Sequence, residues 1–234
     1  MYKRQGSIRN GKKVWFLLKG ESFSVRDVDE VRPYILVSNG SDGATGFRCT
    51  PTTIRVVCAN TLHMVIPNWE NENSLKSLDQ AAFSCKHTGN LEGRVEEAKK
   101  ALQLYGKSLG EHRATIDSLA AKDISTEAIQ KFFLECYTRD FGAIPVAPSG
   151  KIERNRRDRS VEAYNAMMAR FGQEETICGA NAWTMFNAYS GWLQNDRKPR
   201  GKDAGRNSEN RMNSNLFGSS ADKTLAAFET ALAI

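Results

Sequence analysis

Residues 33–62 constrain the fold more than any other stretch. They read P-Y-I-L-V-S-N-G-S-D-G-A-T-G-F-R-C-T-P-T-T-I-R-V-V-C-A-N-T-L. An apolar run from Tyr34 to Val37 meets the turn cluster Asn39-Gly40-Ser41-Asp42-Gly43. A second short run spans 44–49, and after Thr50-Pro51 comes Ile54-Arg55-Val56-Val57. Asn-Gly and Asp-Gly supply the positive φ that tight hairpins need. The pattern predicts a β-hairpin or meander, with Arg48 and Arg55 carried on its strands or their ends. Val14–Leu18 adds a strand that ends at Gly20, Phe23–Val25 a short second one, and Ala82–His87 another. Cys58–Ile66 is ambiguous. Val57, Thr61, Met64 and Val65 share one helical face, which favours a short helix ended by Pro67. Asn68–Ser77 is polar and reads as a loop.

The second half of the chain changes period. Leu91, Val95, Ala98, Leu102, Tyr105, Leu109, His112, Ile116 and Leu119 recur at alternating spacings of four and three, an a/d seam. Two readings are open: the helix lies across its own sheet, or the 91–119 seam receives a second subunit in a homo-oligomer. Ser125 caps a further helix over 126–137, with Ala128, Ile129, Phe132, Phe133 and Cys136 on its buried face. Ser160–Phe171, Ala180–Leu193, Glu209–Phe217 and Ala221–Ala233 read as helices. The aromatic side chains of 183–192 fall near helical spacing, which usually marks a core. Strands first and helices afterwards is the α+β order. The expected architecture is an antiparallel sheet from the N-terminal part, packed against the long helix and a C-terminal helical region. The expected division is a sheet-plus-helix part over 6–123 and a helical part over 124–234.

The net charge is +6, and the basic residues are unevenly placed. Residues 151–159 read K-I-E-R-N-R-R-D-R and residues 197–206 read R-K-P-R-G-K-D-A-G-R. Both read as loops. They are either solvated surface or contacts to phosphate, where Arg and Lys gain affinity by releasing counterions. The candidate nucleic-acid contacts are Arg48, Arg55, Lys86 and His87 on the sheet, with Arg154, Arg156, Arg157, Arg159, Arg197, Lys198, Arg200 and Lys202 on the loops. Against an enzyme stands the absence of G-x-S-x-G, H-E-x-x-H and a phosphate-cradling G-x-x-x-x-G-K-[ST]. No catalytic residue, metal site or cofactor is expected. The five cysteines include no C-x-x-C pair, which fits reduced thiols in the cytoplasm better than a disulfide frame. No apolar run approaches the length of a membrane span.

Several segments carry a family resemblance: P-Y-I-L-V-S-N-G-S-D-G (33–43), T-P-T-T-I-R-V-V-C-A-N-T-L (50–62), K-H-T-G-N (86–90), A-W-T-M-F-N-A-Y-S-G-W (182–192) and R-M-N-S-N-L-F-G-S (211–219). In this order the chain resembles a phage- and plasmid-like family known as domain of unknown function 932. The resemblance implies a link to the single-strand annealing proteins of phage recombination, and it makes His87 the histidine with the strongest functional claim. The expected function is nucleic-acid binding, with single-stranded DNA binding or annealing as its sharper form. The alternative is a non-enzymatic module that binds a host protein. Met1-Tyr2-Lys3-Arg4-Gln5 is also what GTG-TAT-AAG-AGA-CAG encodes, the end of a transposase adapter used in sequencing libraries. Residues 1–5 are therefore expected to be a scar, and the chain to have lost its natural N-terminus.

Overall fold

The computed structural model describes residues 5–8, 10–41, 47–55, 60–63, 67–68, 71–75, 83–85, 109–198 and 203–234. Contacts group the chain into two units, Met1–Ser24 with Glu30–Thr115 and Val25–Asp29 with Ile116–Ile234. The class is α+β, as the order of the sequence patterns predicts.

The first unit is built on an antiparallel sheet. Its strands are β1 (Gln5–Ile8), β2 (Lys13–Lys19), β3 (Phe23–Val25), β4 (Asp29–Gly40), β5 (Phe47–Arg55) and β6 (Thr61–His63). The order is β1-β2-β4-β5-β6, with β3 also on β4. A separate hairpin pairs β7 (Pro67–Asn68) with β8 (Asn71–Leu75), and β9 (Phe83–Cys85) returns to pair with β5. Asn10 and Gly11, at φ 55 and 83, turn the chain between β1 and β2. The unbroken apolar run of β4 follows from burial on both faces: Tyr34 and Leu36 point one way, Val31 and Val37 the other, and all four are buried. On β2 the alternation is one-sided. Trp15 and Leu17 are buried, whereas Val14, Phe16 and Leu18 are 46, 43 and 49 % exposed.

Two expectations for this unit are corrected. Residues 61–63 form a strand rather than part of a helix over 58–66: Thr52, Thr53 and Ile54 pair with His63, Leu62 and Thr61, and the Arg55 amide donates to the Asn60 carbonyl at 3.0 Å. The polar stretch 68–77 supplies most of the β7–β8 hairpin, in which Pro67 pairs with Leu75 and Asn68 with Asn71, rather than only a loop. Of the seam over 91–119, residues 91–108 lie outside the described residues. From 109 the chain is helical to 121, forming α1. His112, Ile116 and Leu119 of the seam are buried within the chain. His112 Nε2 lies 3.2 Å from Thr53 Oγ1, and burial pushes its pKa down to about 4.

The helical unit contains α2 (Thr126–Phe141), α3 (Lys151–Cys178), α4 (Ala182–Gly191), α5 (Ala204–Phe217) and α6 (Ser219–Ala233), with one turn of π-helix over Trp192–Asp196. The Ser125 hydroxyl caps α2 by accepting from the Ala128 amide at 3.2 Å. Every residue of α4 is buried, so the aromatic run of 183–192 is core, packed on α3 and α6. Phe132 meets Tyr189 edge-on at 6.1 Å, and Phe186 meets Phe228 at 5.2 Å. Residues 25–29, the last residue of β3, the turn and the first residue of β4, group with this unit by their contacts. Arg26 and Asp27 hold positive φ, Arg26 Nη1 donates to the Cys178 carbonyl at 3.1 Å, and the buried Asp29 carboxylate accepts from Trp183 Nε1 at 2.8 Å.

The basic segment 151–159 is not a loop. It is the start of α3, which begins at Lys151 rather than at Ser160. Glu153 reaches back to accept from the Ser149 amide and hydroxyl at 2.7 and 2.9 Å, holding the first turn. In the second basic segment residues 199–202 lie outside the described residues, and its end is helical: α5 starts at Ala204, with Asp203 accepting from the Arg206 amide at 2.8 Å.

Candidate functional site

The helical unit encloses a groove of about 1270 Å³ between the end of α2, the first half of α3, the π turn, α5 and the start of α6. α3 contributes Ile152, Asn155, Arg156, Arg159, Glu162, Ala163 and Ala166. These recur at the 3–4 spacing of a single helical face. α5 contributes a second polar stripe of Arg206, Asn207, Asn210, Arg211 and Ser214. The two basic segments of the sequence thus reach one cavity, at Arg156 and Arg159 from the first and Arg197 and Lys198 from the second. With Arg206 and Arg211, six cationic side chains line it against three carboxylates: Glu162, Asp196 and Asp203.

The floor is aromatic. Tyr137 and Phe141 come from the last turns of α2 and Trp192 from the π turn, with ring centroids 5.1, 5.7 and 6.2 Å apart. Arg197 sits 5.3 Å and Lys223 5.8 Å from the Phe141 centroid, within cation–π range. Burial raises the pKa of the Tyr137 phenol, partly offset by the charges of Arg156 and Arg159. One layer below, the buried Tyr189 hydroxyl donates to Asp140, which also accepts from Arg139 Nε at 2.7 Å. Burial and the Asp140 charge both push the Tyr189 pKa up.

The cations divide by what they touch. Arg211 donates through Nη1 to the Asn195 carbonyl and through Nη2 to the Arg197 carbonyl at 2.9 Å, so it pins the π turn to α5. Asn215 assists by donating to the Gln194 carbonyl at 3.3 Å. Arg156 donates to the Phe141 carbonyl at 3.3 Å and lies against Gly142, whose φ of 87 ends α2. Lys198 is paired with Glu162. Asp196 is held by Arg170 at 2.5 Å. Arg159 and Arg206 are exposed, and their side chains make no hydrogen bond or ion pair among the described residues. They are the charges offered outward. The π turn is what brings Trp192, Asp196 and Arg197 to the cavity, and such one-turn insertions are frequent at functional sites.

The remaining candidates fall elsewhere. Arg154 and Arg157 are exposed but lie off the α3 face that lines the groove, a consequence of helical rather than loop geometry. Arg157 faces Asp158 at 3.8 Å. Arg48 and Arg55 belong to the sheet unit. Arg48 pairs with Ser38 and Arg55 with Val31, and seven positions apart on one strand they project to opposite faces. Arg55 is only 2 % exposed, so it does not edge the sheet as a surface phosphate contact. Arg48 is half-buried, with its Nε out of solvent and without a hydrogen-bond partner among the described residues. Lys86, His87, Arg200 and Lys202 lie outside the described residues. Among the described residues no three of His, Cys, Asp and Glu converge as metal ligands, and no helix is long and apolar enough to cross a membrane.

The model of the family described as Domain of unknown function (DUF932) matches residues 1–217. The chain belongs to this family. The DUF932 match takes in α2, α3, the π turn and α5, hence almost all of the groove. No curated protein matches the chain, and no solved structure does.

Proposed function

We propose that this protein binds nucleic acid through the groove of its helical unit, with single-stranded DNA as the ligand. The observation that carries this reading is the meeting, in one cavity, of two basic segments roughly 40 residues apart in the sequence. Arginine-rich surface alone is common and usually only solvated. Here the arginines share a recess with an aromatic floor and amide side chains, the combination that single-strand binders use to hold backbone and bases together. Arg159 and Arg206 take phosphate oxygens, Arg197 and Lys198 add charge at the mouth, and Arg156 and Arg211 keep the walls in place. The phage, recombination and cytoplasmic associations suggested by the sequence belong to this same reading. The test is fluorescence anisotropy with a labelled single-stranded oligonucleotide across a salt series. Affinity falls steeply with salt, by about 0.7 in log–log slope for each phosphate contact. A salt-insensitive interaction, or none at low salt, sinks the proposal.

A second reading, a module that binds a host protein, draws on the sheet unit, where Val14, Phe16 and Leu18 leave a row of apolar side chains 43–49 % exposed on one face of β2. Under it, alanine at Arg159 and Arg206 leaves function intact, and one partner is recovered without nuclease-sensitive bridging.

A further inference from the structure

The groove carries more chemistry than a phosphate track requires. A track needs only cations; this cavity also holds side chains that are uncharged and unspent. Asn155 of α3 and Asn210 of α5 line it, both exposed, and neither amide makes a hydrogen bond among the described residues. An amide offers a donor and an acceptor side by side, the pattern that matches the Watson–Crick or Hoogsteen edge of a base and that a phosphate, an acceptor only, does not use. Ile152, in the same wall, is 83 % exposed. An apolar side chain so open, in a cavity that half-buried Tyr137 and Phe141 also line, favours a flat, weakly hydrated ring over an ionic group. The volume, about 1270 Å³, exceeds the roughly 300–1,000 Å³ usual for a small-molecule pocket, so it has room for more than one nucleotide.

We infer that the groove takes unpaired nucleobases, with Asn155 and Asn210 on base edges and the exposed Ile152 and half-buried Tyr137 side chains against the rings, while Arg159 and Arg206 hold the flanking phosphates. This rests on the nucleic-acid reading above and adds to it which side chains meet the bases, and hence why a single strand is preferred. In a duplex the bases are stacked inward and their pairing edges are occupied, so only the phosphates could enter. Preference for a base-bearing over an abasic strand then comes from the neutral part of the lining and changes little with salt, whereas overall affinity comes from the arginines and falls as salt rises.

The experiment compares four labelled probes on the full chain at fixed salt: a thymidine 15-mer, an abasic strand of the same length, a 15-base-pair duplex and a single thymidine nucleotide. The thymidine strand binds about tenfold or more tighter than the abasic strand and the duplex, and far tighter than the mononucleotide. The double variant Asn155→Ala/Asn210→Ala, at exposed sites where folding is unaffected, lowers affinity for the thymidine strand several-fold, leaves the abasic strand unchanged and keeps the salt slope. Equal, salt-sensitive binding of the base-bearing and abasic strands overturns base recognition and leaves the nucleic-acid reading standing. Mononucleotide binding as tight as the strand overturns the strand claim in favour of a nucleotide pocket. Failure of all four probes to bind overturns both readings.

Discussion

Arg211 and Arg159 both line the groove, yet they are predicted to fail in opposite ways when truncated. Arg211→Ala removes two charge-assisted hydrogen bonds to the Asn195 and Arg197 carbonyls and unpins the π turn from α5. A hydrogen bond to a charged donor contributes about 1.5–3 kcal/mol when buried. Arg211 is half-buried, and water can replace it at the carbonyls, so about 1 kcal/mol per bond is the appropriate scale, or about 2 kcal/mol in all. For a unit of this size that is a fall of roughly 5–10 °C in Tm. Arg159→Ala removes an exposed side chain with no hydrogen bond or ion pair among the described residues and should alter stability by less than about 0.5 kcal/mol. Thermal unfolding followed by tryptophan fluorescence reports on this directly, because Trp183 and Trp192 are buried in the same unit. An Arg211→Ala protein as stable as the parent, or an Arg159→Ala protein equally destabilised, refutes the division of the groove's arginines into those that build it and those that face the ligand.

Asp29→Ala leaves the Trp183 indole N–H without its buried acceptor and should cost about 2–4 kcal/mol in urea unfolding, whereas Asp29→Asn keeps an oxygen in place and recovers part of the loss. Burial holds His112 neutral, with its pKa depressed from 6.5 to about 4. Its contribution is therefore present in full above about pH 6.5 and is lost as pH falls towards 4. The total is about 3 kcal/mol, and a His112→Asn variant should flatten that limb of a stability–pH curve. Gly142→Ala puts a Cβ 2.3 Å from Arg156 Nη2 at a φ of 87; it should cost about 1–3 kcal/mol by chemical denaturation and weaken oligonucleotide binding by displacing Arg156.

The sequence shows what is buried better than what is bound. Apolar periodicity recovers β2, β4, the buried face of α2 and the core character of α4, because each records contact with a hydrophobic interior. It misses the first turns of α3, since residues 151–159 are all exposed and bury no stripe that could show a period. Their Lys, Arg and Glu content is nonetheless favourable to helix, and Glu153 at the third helical position was the available signal. The strand β1 also went unread, although Asn10-Gly11 marks its turn as plainly as Asn39-Gly40 marks the next. For the site, composition identified both basic segments, and Arg156, Arg159, Arg197 and Lys198 do line one cavity. Arg206 closes the second basic segment but was not named as a contact, and Asn207, Asn210 and Arg211 were missed because their helical spacing is polar and a search for apolar stripes passes over it. Arg197 follows directly on the π turn over Trp192–Asp196, its amide donating to the Trp192 carbonyl at 2.8 Å, and that turn leaves no compositional trace. The opposed directions of Arg48 and Arg55 required knowing that one strand carries both.

The most direct test of the central claim is the salt dependence of single-strand affinity for the parent chain and for Arg159→Ala/Arg206→Ala, measured side by side. Loss of two phosphate contacts should weaken binding at low salt and flatten the log–log slope by about 1.4, while the Tm is unchanged. An unchanged slope and affinity in the double variant would contradict the placement of the nucleic acid in this groove.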